Sequence, residues 1–159
     1  RQRAARALAA LGRQLGGETS LLVSDLSARR NSSPIDLAIA VNNLNIQSAD
    51  QSWSGKKLLV DISNGRRAGG GFHVAPAARA DDGMLDLVIA EALSPLRRLI
   101  YLPVIEKGKH LGLSFITHRP VKAVTIQSPK RIQFHLDGEY GEANALDIRI
   151  REAAFLFRY

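Results

Sequence analysis

The chain has 159 residues, 45% hydrophobic and 23% charged, proportions that suit one globular domain over residues 1–159 and exclude a disordered or fibrous chain. With 22 Lys and Arg against 15 Asp and Glu, its net charge of +7 points to an anionic partner, whether phospholipid head groups, nucleotide phosphates or nucleic acid. There is no cysteine, which excludes disulfides and thiolate metal sites and leaves the redox compartment open.

The opening segment spaces Ala4, Leu8, Leu11 and Leu15 on one helical face, with Arg3, Arg6 and Arg13 elsewhere, and predicts an amphipathic helix over residues 1–17 ended by Gly16-Gly17. From Ser20 the character changes to runs of Val, Ile and Leu separated by Ser, Asn and Gly. Leu21-Leu22-Val23, Leu37-Ala38-Ile39-Ala40-Val41 and Leu58-Leu59-Val60-Asp61-Ile62 read as strands, and residues 72–74 and 84–89 as two more. Ser94-Pro95 then supplies an N-cap and a proline at the first helical position. A helix is expected from about 95 to 106, with Leu96, Leu99, Ile100 and Val104 facing inward, Pro103 kinking or shortening it and Gly108 stopping it.

The last quarter carries further strands at 121–127, 131–136, 145–150 and 153–157. Ile132, Phe134 and Leu136 alternate with Arg131, Gln133 and His135, which makes one face apolar and the other wet. Short strands with few helices predict a mainly β, antiparallel sandwich-like domain rather than a parallel βαβ sheet. No stretch forms a secretory apolar region or a spanning helix, so a soluble, cytoplasmic protein is expected, with any membrane contact peripheral. The first residue is Arg1 rather than Met, which suggests a piece of a longer polypeptide.

Between the 58–62 and 84–89 runs the chain reads Asn64-Gly65-Arg66-Arg67-Ala68-Gly69-Gly70-Gly71, and then, after Pro76, Arg79-Ala80-Asp81-Asp82-Gly83-Met84. Three consecutive glycines sacrifice packing and backbone entropy, which suits a main chain that takes positive φ or passes close to another group. A P-loop would need a following Lys-Ser/Thr and a helix, and Phe72-His73-Val74 follows instead, so the glycines read as a structural bulge or tight crossing in preference to a phosphate cradle. Asp82-Gly83 and Asp137-Gly138-Glu139 read by themselves as turns, the second at the tip of a hairpin with positive φ. His73, His110, His118 and His135 have no ligand-like spacing, and no Gly-x-Ser-x-Gly elbow is present, so neither a zinc site nor a hydrolase triad is supported.

In order and spacing, N-G-x-x-x-G-G-G, P-x-A, D-G-x-L-D and D-G-E over residues 58–158 resemble the C-terminal domain of the bacterial diacylglycerol kinase-like lipid kinases, relatives of sphingosine and ceramide kinases. The resemblance implies the lipid-substrate half of an ATP-dependent kinase that phosphorylates a diacylglycerol-like hydroxyl. It implies Glu139 as proton acceptor, a Mg²⁺ ion held by Asp82 and the carbonyls of Arg79 and Met84, and a cleft shaped by Asn64, Gly69, Gly70, Gly71 and Asp137. Arg66, Arg67 and Arg79 stand near enough in sequence to meet phosphates, and the apolar interior would admit acyl chains. In that family ATP is bound in a preceding domain through a Gly-Gly-Asp-Gly-Thr segment, which this chain lacks, so it is expected to be inactive alone and to need an upstream nucleotide-binding domain. The rival reading is a non-catalytic basic β domain for nucleic acid or an anionic membrane surface. With five Phe, three Tyr and one Trp, the chain is poor in the aromatics on which single strands stack, which argues against nucleic acid. A third reading is a regulatory domain derived from such a kinase.

Overall fold

In the computed structural model the described residues are 19–24, 36–68 and 72–151, so the helix expected over 1–17 and the strand expected at 153–157 lie outside them. Seven strands form one hydrogen-bonded sheet: β1 Thr19–Ser24, β2 Asp36–Gln47, β3 Ser52–Ser63, β4 Leu85–Glu91, β5 Ile116–Val121, β6 Ala123–Leu136 and β7 Glu139–Arg151. One helix, α1 Pro95–Glu106, links β4 to β5. The spatial order is β1-β7-β6-β2-β3-β4-β5, antiparallel throughout except where β1 runs parallel to β7.

The sandwich-like character comes from a crease that crosses the long strands. Register shifts fall between Ile39 and Asn45 of β2, between Lys57 and Leu59 of β3, and between Gln127 and Ile132 of β6. They lie side by side, because Ile39 pairs with Val60 and Phe134 while Ile46 pairs with Trp53 and Ile126. In β6 the residues Ser128 to Arg131 stand opposite Asn144 alone, and Pro129, which has no N–H to give a ladder, sits inside that bulge. Across the crease the core-facing positions change parity in three strands, Ile39 against Leu44 and Ile46, Val60 and Ile62 against the half-buried Trp53, and Ala143 against Leu146 and Ile148, whereas Ile126, Ile132 and Phe134 of β6 keep it. An odd shift sends alternate side chains to the other face of the pleat, so both halves of β2, β3 and β7 feed one core only if the sheet folds over on itself. That core joins β2 to β7 through Ile39, Ile62, Leu87, Ile126, Phe134 and Ile148.

Several elements differ from the sequence expectation. Residues 72–74 form no strand: Phe72 makes an isolated bridge with Ala68, and the chain then turns. The runs at 121–127 and 131–136 belong largely to the single strand β6, with Val121 closing β5, which the sequence reading passed over. The helix has the expected bounds, and Pro103 lies inside it without ending it. Its orientation differs from that expected, except at Val104. Leu96, Leu99 and Ile100 are 69%, 69% and 60% exposed, whereas Arg98, Tyr101, Val104 and Ile105 are half-buried. Tyr101 packs tilted against Phe115 with ring centroids 4.7 Å apart, and Arg98 Nε donates to the Leu93 carbonyl, so that flank holds the helix. Gly108, at φ +67°, ends it: Gly108 N–H donates to Ile105 O and Lys109 N–H to Val104 O, the paired bonds of a Schellman stop.

Candidate functional site

β3 delivers the chain to Asn64 and Gly65, both buried at the end of the sheet, and residues 72–84 lie on the outer face before β4 begins. Ala75 and Ala78 are small enough to lie flat on that face, where they pack with Val88 and Ile116. Ala68 and Phe72 exchange both backbone hydrogen bonds, at 2.9 and 3.1 Å, which brings the chain back beside itself on either side of the glycines. Gly69, Gly70 and Gly71 themselves lie outside the described residues.

Beneath this loop runs a buried polar strip that sequence reasoning missed. Asp61 and Ser63 of β3, Asp86 of β4 and His118 of β5 share the outer face, since Asp61 pairs with Val88, Ser63 with Asp86, and Val88 with His118. Ser63 Oγ donates to Asp61 Oδ2 at 3.1 Å, and His118 Nε2 lies 2.5 Å from Asp86 Oδ1. Asp61 and Asp86 are 1% and 4% exposed, and carboxylates so deep need such partners. Their signal was present in the sequence as a carboxylate inside each apolar run, Val60-Asp61-Ile62 and Leu85-Asp86-Leu87.

Above the strip opens a cleft of about 440 Å³ lined by Asn64, Gly65, Arg66, Ala78, Arg79, Ala80 and Asp81. Arg66 Nε donates to the Ala78 carbonyl at 3.2 Å, which ties its two walls together, and among the described residues Arg66 meets no carboxylate. Arg79 is forked onto Asp81 at 3.2 and 3.3 Å; each raises the other's preference for its charged form, lifting the guanidinium pKa and lowering that of the carboxylate. The exposed Asp82 accepts from Met84 N–H through Oδ1 at 2.9 Å, an Asx turn that orders the approach to β4. Asp137 and Gly138 have φ of 52° and 83°, the tight hairpin turn that Asp-Gly favours, and Glu139 is the first residue of β7.

Asn64, Asp82, Asp137 and Glu139 all lie at one end of the sheet. There β3 and β6 leave it and β4 and β7 start, and one row of the ladder runs Glu139, Leu136, Leu37, Ile62 and Leu87. Three strand spacings of ~4.8 Å put Glu139 roughly 14 Å from the β3 end, less any closure from the bend. Neither Asp82 nor Glu139 lines the cleft. Among the described residues no three His, Asp or Glu cluster as a metal site, although Asp82 and its neighbouring carbonyls are the hard oxygen donors Mg²⁺ takes together with water. His110 is buried: its Nε2 donates to Val74 O at 2.8 Å, and burial pushes its pKa down.

Comparison with known proteins gives one consistent result. Residues 4–155 match the model of the YegS C-terminal NAD kinase beta sandwich-like domain. The chain is 38% identical over 94 residues to a YegS-like probable lipid kinase of Pseudomonas savastanoi pv. phaseolicola, covering 57% of this chain and 29% of the relative. Another YegS-like probable lipid kinase, from Xanthomonas campestris pv. campestris, is 30% identical over 132 residues, covering 82% of this chain and 40% of the relative. A Bacillus anthracis str. Sterne protein provisionally identified as a diacylglycerol kinase superposes with a TM-score of 0.51 at 19% identity, over 71% of this chain and 41% of that one, a likeness of fold. The chain therefore spans less than half the length of these relatives.

Proposed function

The chain belongs to the YegS C-terminal NAD kinase beta sandwich-like family of lipid kinases, and on that premise we propose that it is the lipid-facing half of an ATP-dependent kinase for a diacylglycerol-like hydroxyl. The lipid oxygen forms a bond to the γ-phosphorus of ATP, the bond to the β,γ-bridging oxygen breaks, ADP leaves, and the hydroxyl proton passes to the Glu139 carboxylate. Phosphoryl transfer asks the protein chiefly for positioning and charge neutralisation, which is why one carboxylate, one ordered loop and unpaired arginine can suffice on this side. Mg²⁺ would be held by the Asp82 carboxylate with the Arg79 and Met84 carbonyls. Arg66 is the better phosphate contact of the cleft arginines, since Arg79 is already neutralised by Asp81. ATP itself belongs to an upstream nucleotide-binding domain, because no Gly-Gly-Asp-Gly-Thr segment occurs in this sequence.

The observation that carries the reading is the gathering of Asn64, Asp82 and Asp137-Gly138-Glu139, far apart in sequence, at one end of one sheet. Nucleic acid fits less well: among the described residues Tyr140 is the one large aromatic counted as exposed, and its hydroxyl is tied to Glu142. The test is ATP-dependent phosphorylation of a lipid panel by the chain joined to its nucleotide-binding domain. Glu139→Gln should lower kcat by about 10²- to 10⁴-fold with KM little changed, and Asp82→Ala should lose activity that raised Mg²⁺ partly restores. Wild-type turnover in Glu139→Gln removes that residue from the chemistry.

A further inference from the structure

Among the described residues α1 carries four of the five exposed large hydrophobics, and nothing so far accounts for them. Leu96, Leu99 and Ile100 are more than half exposed, Leu102 is 48% exposed, and none of the helix's residues is buried. At 100° per residue, Leu96, Leu99, Ile100 and Pro103 form one stripe, opposite the flank of Arg98, Tyr101 and Ile105 that attaches the helix to the body. Cations border this stripe: Arg97 on one side, Lys107 and Lys109 at its C-terminal end, all exposed, with Glu106 as the helix's sole acid.

We infer that α1 is a membrane-docking helix whose Leu96, Leu99 and Ile100 stripe enters the surface of an anionic bilayer while Arg97, Lys107 and Lys109 meet its phosphates. The inference rests on the lipid kinase reading and names the surface from which the substrate comes. Three observations favour a bilayer over a protein. The rim is cationic, as is the chain at +7, which complements anionic head groups. The stripe exposes on the order of 500 Å², short of the ~800 Å² that each partner of a standard interface buries. The helix also ends against the site loop, with His73 N–H donating to Glu106 O and His110 reaching Val74 O. A bilayer on this face would therefore lie beside the cleft. The cleft beside Arg66 shares no residue with the core cluster, so acyl chains left in the bilayer need no slot within it.

The experiment is co-sedimentation of the purified protein with vesicles of equimolar phosphatidylglycerol and phosphatidylcholine, and with pure phosphatidylcholine vesicles. Binding to the anionic vesicles that weakens with salt is expected, and Leu99→Glu/Ile100→Glu should reduce it at least about tenfold with an unchanged melting temperature. Arg97→Glu/Lys109→Glu should abolish the preference for anionic vesicles. Failure of the wild type to bind at low salt, equal binding by the stripe variant, or a stripe variant that changes oligomeric state would each overturn the inference, the last in favour of a protein partner. A dispersed short-chain diacylglycerol separates the two readings. Its normal phosphorylation without vesicle binding sinks the docking helix alone, whereas vesicle binding without phosphorylation of any lipid sinks the kinase reading alone.

Discussion

Gly141→Ala probes the packing that pins the Glu139 hairpin. Gly141 stands opposite Phe134, which stands opposite Ile39, so the phenyl ring is held across three strands next to the turn. A Cβ at Gly141 would lie 2.5, 2.7 and 3.2 Å from ring carbons of Phe134, about 1 Å inside ordinary contact. Phe134 is 7% exposed within the core, so the ring can yield only by leaving its rotamer, at about 0.5–1.5 kcal/mol, and by displacing neighbours, for an overpacking cost of about 1–3 kcal/mol. Against this, φ at Gly141 is not positive, and replacing glycine by alanine recovers about 0.4–1 kcal/mol of unfolded-state entropy. The balance is a loss of about 1–2 kcal/mol. Urea unfolding at constant m-value would read it as a lower midpoint. Gly141→Ala/Phe134→Leu should cost less than the sum of the single variants, because the smaller side chain relieves the clash. A midpoint that rises or stays fixed in Gly141→Ala would show the ring free to move and refute the reasoning.

Lys57 is 4% exposed in its side chain and held by Glu91 at 2.6 Å and by the Ser54 carbonyl at 2.9 Å, so Glu91→Ala, which strands the buried cation, should cost about 2–4 kcal/mol, whereas Lys57→Met/Glu91→Ala should recover most of that in chemical denaturation. Gly108→Ala combines a left-handed φ with a Cβ placed 2.9 Å from His73 Cβ and 3.1 Å from Pro76 Cβ; a loss of at least about 2 kcal/mol is expected, with faster amide exchange at the end of α1. Burial holds the His110 pKa below its ordinary value, so the folded state favours the neutral ring while the unfolded chain takes up a proton as pH falls through about 6.5. Stability should be lost below that pH and level off once the folded ring protonates, and His110→Gln should flatten this limb of a Tm-against-pH curve relative to wild type.

Local steric demands were legible in the sequence. Asp137-Gly138 takes two positive φ angles, Ser94-Pro95 opens the helix through its proline although the Ser94 side chain makes no capping bond, Gly108 closes it, and the alternation at 131–136 buries Ile132 and Phe134. What failed depended on partners distant in sequence. β5, Ile-Thr-His-Arg-Pro-Val, has weak apolar character and a proline that an edge strand tolerates, so only its pairing with β4 makes it a strand. The helix carries two flanks with apolar residues, and periodicity cannot say which one the body covers. Tyr101 and Ile105 took the inside because Phe115 lies there, leaving Leu96, Leu99 and Ile100 out. Ile39 and Leu44 are both buried although five residues apart, a break in alternation at the crease that a reading by period does not foresee.

The same crease bears on the candidate site. A flat seven-stranded sheet would hold the Asn64 loop and the Glu139 hairpin apart by the width of two intervening strands, β2 and β6. Bulges in β3 and β6 bend those strands midway along their length and raise the local twist, and that twist sets how far apart the two ends of the ladder stand. Changing the length of the β6 bulge is thus a way to move Glu139 without touching it. Deleting Lys130 shortens that bulge, reverses the alternation on one side of it, and should depress phosphorylation together with stability. Pro129→Ala leaves its length alone and should depress neither by more than about twofold in rate or ~0.5 kcal/mol in stability. If the two variants behaved alike, the bend would have no part in bringing the motifs to one another.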